Sequence, residues 1–95
     1  MHIRWSPDAA DDLENIVDHI GRDNPTEAQR VGQEIYDRLS VIATFPHGGR
    51  RGRVEGTREL PLPPLPFIVV YRVQEHADVV EIVNVIHGAQ RWPPD

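Results

Sequence analysis

A 95-residue chain with net charge −5, 39% hydrophobic and 26% charged residues has room for one modest core and the composition of a folded globule, not of a disordered segment. It has no cysteine, which excludes a disulfide framework and leads us to expect a reducing, cytoplasmic setting. The N-terminal segment carries no apolar signal core, and no apolar run approaches the ~20 residues of a membrane span, so a secreted or membrane protein is not expected.

In chain order, Ile3-Arg4-Trp5 reads as a short strand with Ile3 and Trp5 on one face. Ser6 then serves as an N-cap, Pro7 as the first helical residue and Asp8 as an acid in the first turn. Ala10, Leu13, Ile16, Val17 and Ile20 follow at helical spacing, and Gly21 stops the helix. The same punctuation recurs at once: Asn24 caps, Pro25 opens, and Glu27 occupies the place of a capping-box partner. Ala28, Val31, Ile35, Leu39 and Ile42 form the apolar stripe of this second helix, with Gly32 allowing a neighbour to approach closely. Two helices with so short a link make an αα-hairpin.

Phe45-Pro46 ends the second helix, and residues 46–57 read as a glycine-rich loop. Residues 58–62 fit a short edge strand limited by Pro61, Pro63, Pro64 and Pro66. Phe67 to Val73 is a strong strand, rich in β-branched and aromatic residues. Gln74 to Asp78 turn the chain into a second strong strand from Val79 to Ile86, and the pair reads as an antiparallel hairpin. The expected fold is α+β, in the order β-α-α-β-β-β. A helical hairpin lies on one face of a small, mostly antiparallel sheet, and residues 1–95 form a single domain.

Charge is uneven along this order. Residues 1–43 hold four arginines against nine acids, whereas residues 44–95 balance six against six. Every basic residue is arginine, and Arg50, Arg51 and Arg53 fall within four positions. An acidic chain with one basic knot is a poor general coat for nucleic acid, and sequence-specific DNA binding by the chain alone is not expected. The knot either grips a phosphate or acidic surface, or is a solvated loop balanced by the acidic helices. The five histidines show no metal-ligand spacing, so neither metal nor cofactor is expected. Gly48-Gly49-Arg50-Arg51-Gly52 lacks the lysine and hydroxyl residue of a phosphate-cradling loop.

The opening residues Trp5-Ser6-Pro7, Ala9-Ala10, Asp12-Leu13 and Ile16 resemble the start of the ParE/RelE toxin superfamily. So do Phe67-Ile-Val-Val-Tyr-Arg-Val73, Val80-Glu-Ile-Val and the closing Val85-Ile-His-Gly-Ala-Gln-Arg-Trp-Pro93. The resemblance implies the toxin half of a bacterial type II toxin–antitoxin pair, neutralised by a cognate ParD-like antitoxin whose flexible segment wraps it. One fold carries two activities in that superfamily. RelE-like members cut mRNA on the ribosome, while ParE-like members bind DNA gyrase and are not enzymes. RelE-like sequences commonly hold an arginine where this chain has Ile68, which can neither neutralise a phosphate nor donate to it. The His-Gly-Ala-x-x-Trp-Pro ending is closer to ParE-like and plasmid-stabilisation toxins.

The expected function is gyrase inhibition by binding, with no catalytic residues. The alternatives are a ribosome-dependent mRNA endonuclease using His87, Arg50 and Arg72, or an interaction module without toxicity. Target contacts are expected from Arg50, Arg51, Arg53, His87, Arg91 and Trp92. His87 is either a proton carrier or a strand-end histidine bonded to the turn at Gly88. Trp92 is either a lid packed on the sheet or an exposed anchor. Leu60, Leu62 and Leu65 alternate with prolines that resist sheet pairing, so they are expected to form an exposed apolar strip that binds the antitoxin.

Overall fold

The structure, a computed structural model, describes residues 1–94. Strand β1 (His2–Trp5) leads into helix α1 (Pro7–Gly21) and helix α2 (Pro25–Thr44). Strands β2 (Arg50–Arg51), β3 (Arg58–Pro61), β4 (Phe67–Gln74) and β5 (Val79–His87) follow, with a single 3-10 turn at Glu75–Ala77 between the last two. The sheet order is β1-β5-β4-β3-β2. Only β1 against β5 is parallel; the other three pairings are antiparallel.

Both helices begin as their sequences dictate. Ser6 Oγ accepts the Ala9 N–H at 3.0 Å, and Asn24 Oδ1 accepts the Glu27 N–H at 3.0 Å. The capping box of α2 is only half formed. The Asn24 N–H goes to the Ile20 carbonyl, and the Glu27 carboxylate turns to Arg30 instead. The expected stripe of Ala28, Val31, Ile35, Leu39 and Ile42 is buried in full. A Cβ on Gly32 would stand 3.1 Å from Val17 Cγ2, which is where α1 and α2 approach closely.

Beneath the helices lie Val69, Tyr71, Val80, Ile82 and Val85. Ile82 and Val85 sit three residues apart yet join the same core, which regular alternation forbids. A bulge resolves this: Val70 pairs with Asn84 but the next residue, Tyr71, pairs with Ile82, leaving Val83 as the extra residue of β5. The start of α1 closes the irregularity. Ser6 Oγ donates to the Val83 carbonyl at 2.8 Å, and the Asp12 carboxylate accepts the Val85 N–H.

Two expectations need correction. The 46–57 segment is not loop throughout, because Arg50–Arg51 pairs with Arg58–Glu59 and adds a fifth strand. The pairing rests on a tight return in which the Gly52 N–H donates to the Thr57 carbonyl at 2.8 Å. A Cβ at Gly52 would fall 2.1 Å from Thr57 Oγ1, so no side chain fits there. Secondly, the Leu60–Leu65 strip is not exposed. Leu62 is fully buried, and Leu60 and Leu65 pack half-buried against the core. The Leu62 N–H bonds the Phe67 carbonyl at 3.0 Å, so the prolines sit in a hairpin turn that folds this leucine inward.

Candidate functional site

The sheet face opposite the helices carries a second apolar cluster of Ile68, Val70 and Ile86, with Val83 and Trp92 packed on it. No described helix covers this face; Trp92 of the C-terminal tail does. Trp92 therefore packs back on the sheet as a lid, and its buried indole Nε1 has no hydrogen-bond partner among the described residues.

Beside Val70, in register across β3 and β4, lies Glu59, only 1% exposed. Its carboxylate accepts the Arg53 N–H at 2.8 Å, the Arg53 guanidinium at 3.0 and 3.3 Å, and Arg50 Nη2 at 3.2 Å. Burial pushes this carboxyl upward, but the Arg53 side chain and backbone and the Arg50 side chain outweigh it, holding the pKa down to about 2. Two of the three arginines of the basic knot are thus drawn onto an internal carboxylate. Sequence reasoning missed Glu59; the available signal was an acid inside the strand pattern beside a cluster of arginines.

Arg51 pairs with Arg58, on the other side of the sheet from Arg50. Arg58 Nη1 donates to the carbonyls of His47 and Gly49 at 3.2 and 2.9 Å. Tyr71, fully buried, donates its hydroxyl to the Pro46 carbonyl at 2.8 Å and accepts the Gly49 N–H at 2.9 Å. Burial raises the Tyr71 pKa against the opposing pull of the Gly49 N–H and Arg58. Tyr71 is a core residue, whereas Tyr36 is exposed on α2.

His87 stands exposed at the end of β5, with its Nδ1 accepting the Ala89 N–H at 3.0 Å. Its ring meets Phe67 edge-on with centroids 5.8 Å apart. This matches the reading of a strand-end histidine bonded to the turn. Arg72 lies towards the other end of β4, its Nη1 on the Glu55 carbonyl at 3.2 Å. Since His87 pairs with Phe67, five residues from Arg72, the two groups are about 17 Å apart along the ladder.

The structure thus brings Arg50, Arg53 and Trp92 to the open sheet face. His87 lies at the strand end beside Phe67, and Arg51 faces the other way. Arg91 is exposed in the tail between His87 and Trp92. The three residues of the nuclease alternative, His87, Arg50 and Arg72, do not converge. Among the described residues no group of three or more acidic or histidine side chains is placed to hold a metal ion. No described helix is long and apolar enough to cross a membrane.

Comparison with known proteins supplies the context. Residues 3–92 match the family described as the ParE toxin of the type II toxin–antitoxin system parDE. The protein named "Putative toxin Y4kP" from Sinorhizobium fredii is 40% identical over 91 residues, covering 96% of this chain and 92% of that protein. Among solved structures, the chromosomal ParDE toxin–antitoxin system from P. aeruginosa superposes with a TM-score of 0.82 at 29% identity, covering 92% of this chain and 95% of that one. The intact E. coli RelBE toxin–antitoxin complex gives 0.66 at 15% identity, covering 95% and 98%, a likeness of fold alone.

Proposed function

The chain belongs to the ParE toxin family of type II toxin–antitoxin systems, and from that premise we propose that it is a toxin acting by binding DNA gyrase, without catalysis of its own. The observation that carries this reading is the separation of His87 from Arg72 at opposite ends of the β4–β5 ladder. RNA cleavage through the 2′-hydroxyl needs a base, a phosphate-binding cation and a proton donor within reach of one phosphodiester. Here the histidine and the arginine cannot share one. The other candidate cation, Arg50, is held on Glu59. Ile68, where RelE-like chains commonly carry arginine, is almost fully buried in the cluster that packs against Trp92.

Target contact falls to the open face and its rim, where Arg50, Arg53, Arg91 and Trp92 combine charge with an aromatic group. A cognate ParD-like antitoxin completes the pair, in the cytoplasm, with Leu60 and Leu65 as half-buried contact residues and Leu62 supporting them from beneath. Supercoiling assays with purified toxin and gyrase test the proposal directly. Inhibition relieved by the antitoxin, with ribosome-bound mRNA intact by primer extension, is the expected outcome. Codon-specific cleavage with normal supercoiling would overturn it.

A further inference from the structure

Strand β3 begins at Arg58, opposite Tyr71, so the edge of β4 at residues 72–74 has no strand beside it. The turn at residues 52–57 folds alongside instead. The His47–Glu75 pair, Nε2 to Oε1 at 2.8 Å, lies at the margin, joining the segment after α2 to the β4–β5 turn. Between them is a cleft of about 600 Å³ whose lining includes His47, Arg51, Arg53, Glu55, Arg58 and Glu75. We propose that this cleft binds a phosphate group.

Arg53 shares the buried Glu59 carboxylate with Arg50. Arg51 is exposed, and its side chain makes no hydrogen bond or ion pair among the described residues. Arg58 is fixed by two backbone carbonyls, which immobilise the guanidinium without cancelling its charge. Arg72, against Gly56 in the cleft wall, is held the same way by the Glu55 carbonyl. Within the lining, Arg51 and Arg58 balance Glu55 and Glu75. The positive excess comes from Arg72 behind the wall at Gly56 and from the two arginines that share Glu59. Planar guanidinium forks held in place favour the tetrahedral oxygens of phosphate.

The backbone adds to this. Gly56 adopts a φ of +80°, and neither its peptide N–H nor that of Glu55 has a partner among the described residues. Free N–H groups around a left-handed residue are a recurrent anion-binding device. Of the proposed target contacts Arg53 alone also lines the cleft, and Glu59 already holds it, so occupancy of the cleft does not depend on gyrase being the target.

Titration of the isotope-labelled protein with pyrophosphate, and separately with a short oligothymidylate lacking terminal phosphates, tests the site. Amide resonances of residues 51–58 should shift. Arg51→Ala, which alters only an exposed side chain, should weaken binding at least tenfold, while Arg30→Ala on α2 leaves it unchanged. Response to pyrophosphate alone identifies a small phosphorylated ligand, and response to the oligonucleotide identifies a nucleic-acid backbone. Absence of shifts at 51–58 with both probes, or equal affinity in Arg51→Ala, would overturn the proposal.

Discussion

The carboxylate of Asp12 reaches from α1 to the peptide N–H of Val85, at 2.9 Å, beyond the point where β1 stops pairing with β5 at Trp5 and Ile82. The same oxygen accepts the Asn84 side-chain amide at 2.8 Å. Helix and sheet are therefore joined by a charged hydrogen bond as well as by apolar packing. The nearby bulge turns both Ile82 and Val85 towards the helices.

Asp12→Ala should lower the unfolding free energy by about 2–3 kcal/mol, since it strands the Val85 donor and removes a bond to a charged acceptor. Asp12→Asn keeps an acceptor oxygen and should lose less than half as much. Urea denaturation monitored by circular dichroism measures both. A loss near zero for Asp12→Ala would mean that water replaces the carboxylate without penalty.

Glu59 sets the acid limit of the fold. Its carboxyl is held at about 2, against an ordinary value of 4.5, so the unfolded chain binds more protons between those values. Its contribution, about 3 kcal/mol, is fully present above the ordinary range and is lost as pH falls towards 2. Glu59→Gln should therefore be less stable at neutral pH and show a flatter acid limb. Stability measured from pH 7 down to pH 2 checks it; an unchanged acid slope in the variant would place the linkage elsewhere.

The elements legible in the sequence are those fixed by local chemistry. Ser6-Pro7 and Asn24-Pro25 announce both helices, and the five-residue stripe of α2 is its buried face, because capping and periodicity depend on near neighbours. Arg50–Arg51 carries no strand pattern; it pairs only because Gly52 and Thr57 close the turn behind it. The Leu62 environment was misread for a related reason. Prolines argue against a ladder but not against burial, and the turn that ends at Phe67 carries Leu62 into the core. At the site, the arginine cluster was legible but its anchoring was not, since nothing local couples Arg53 to a carboxylate six residues away across a hairpin.

Leu62→Asp should prevent folding, because it buries a charge without a partner in the core. Leu62→Ala should cost about 2–5 kcal/mol by opening a cavity. Leu65→Asp, at a half-buried position, should leave the fold intact and weaken antitoxin binding. Thermal melts of all three, with antitoxin titration of the folded ones, separate packing from contact. Unchanged affinity in a folded Leu65→Asp protein would remove Leu65 from the partner surface.

Trp92 tests whether the tail is a lid. Its indole lies on the Ile68, Val70 and Ile86 cluster, which no helix shields, so removing it returns apolar area to water. Trp92→Ala, or truncation after Gln90, should lower the melting temperature, with a loss of about 2 kcal/mol for a side chain that is only partly buried. Trp92→Phe separates the ring from its polar handle. The buried Nε1 donor has no partner among the described residues, so its removal relieves a desolvation penalty that offsets the lost ring area. The phenylalanine variant should stay within about 1 kcal/mol of the parent. If Trp92 also contacts the target, Trp92→Phe should reduce gyrase inhibition while stability and antitoxin affinity hold. A truncated protein with the parent's melting temperature would show that the open face needs no cover and that the tail is not a lid.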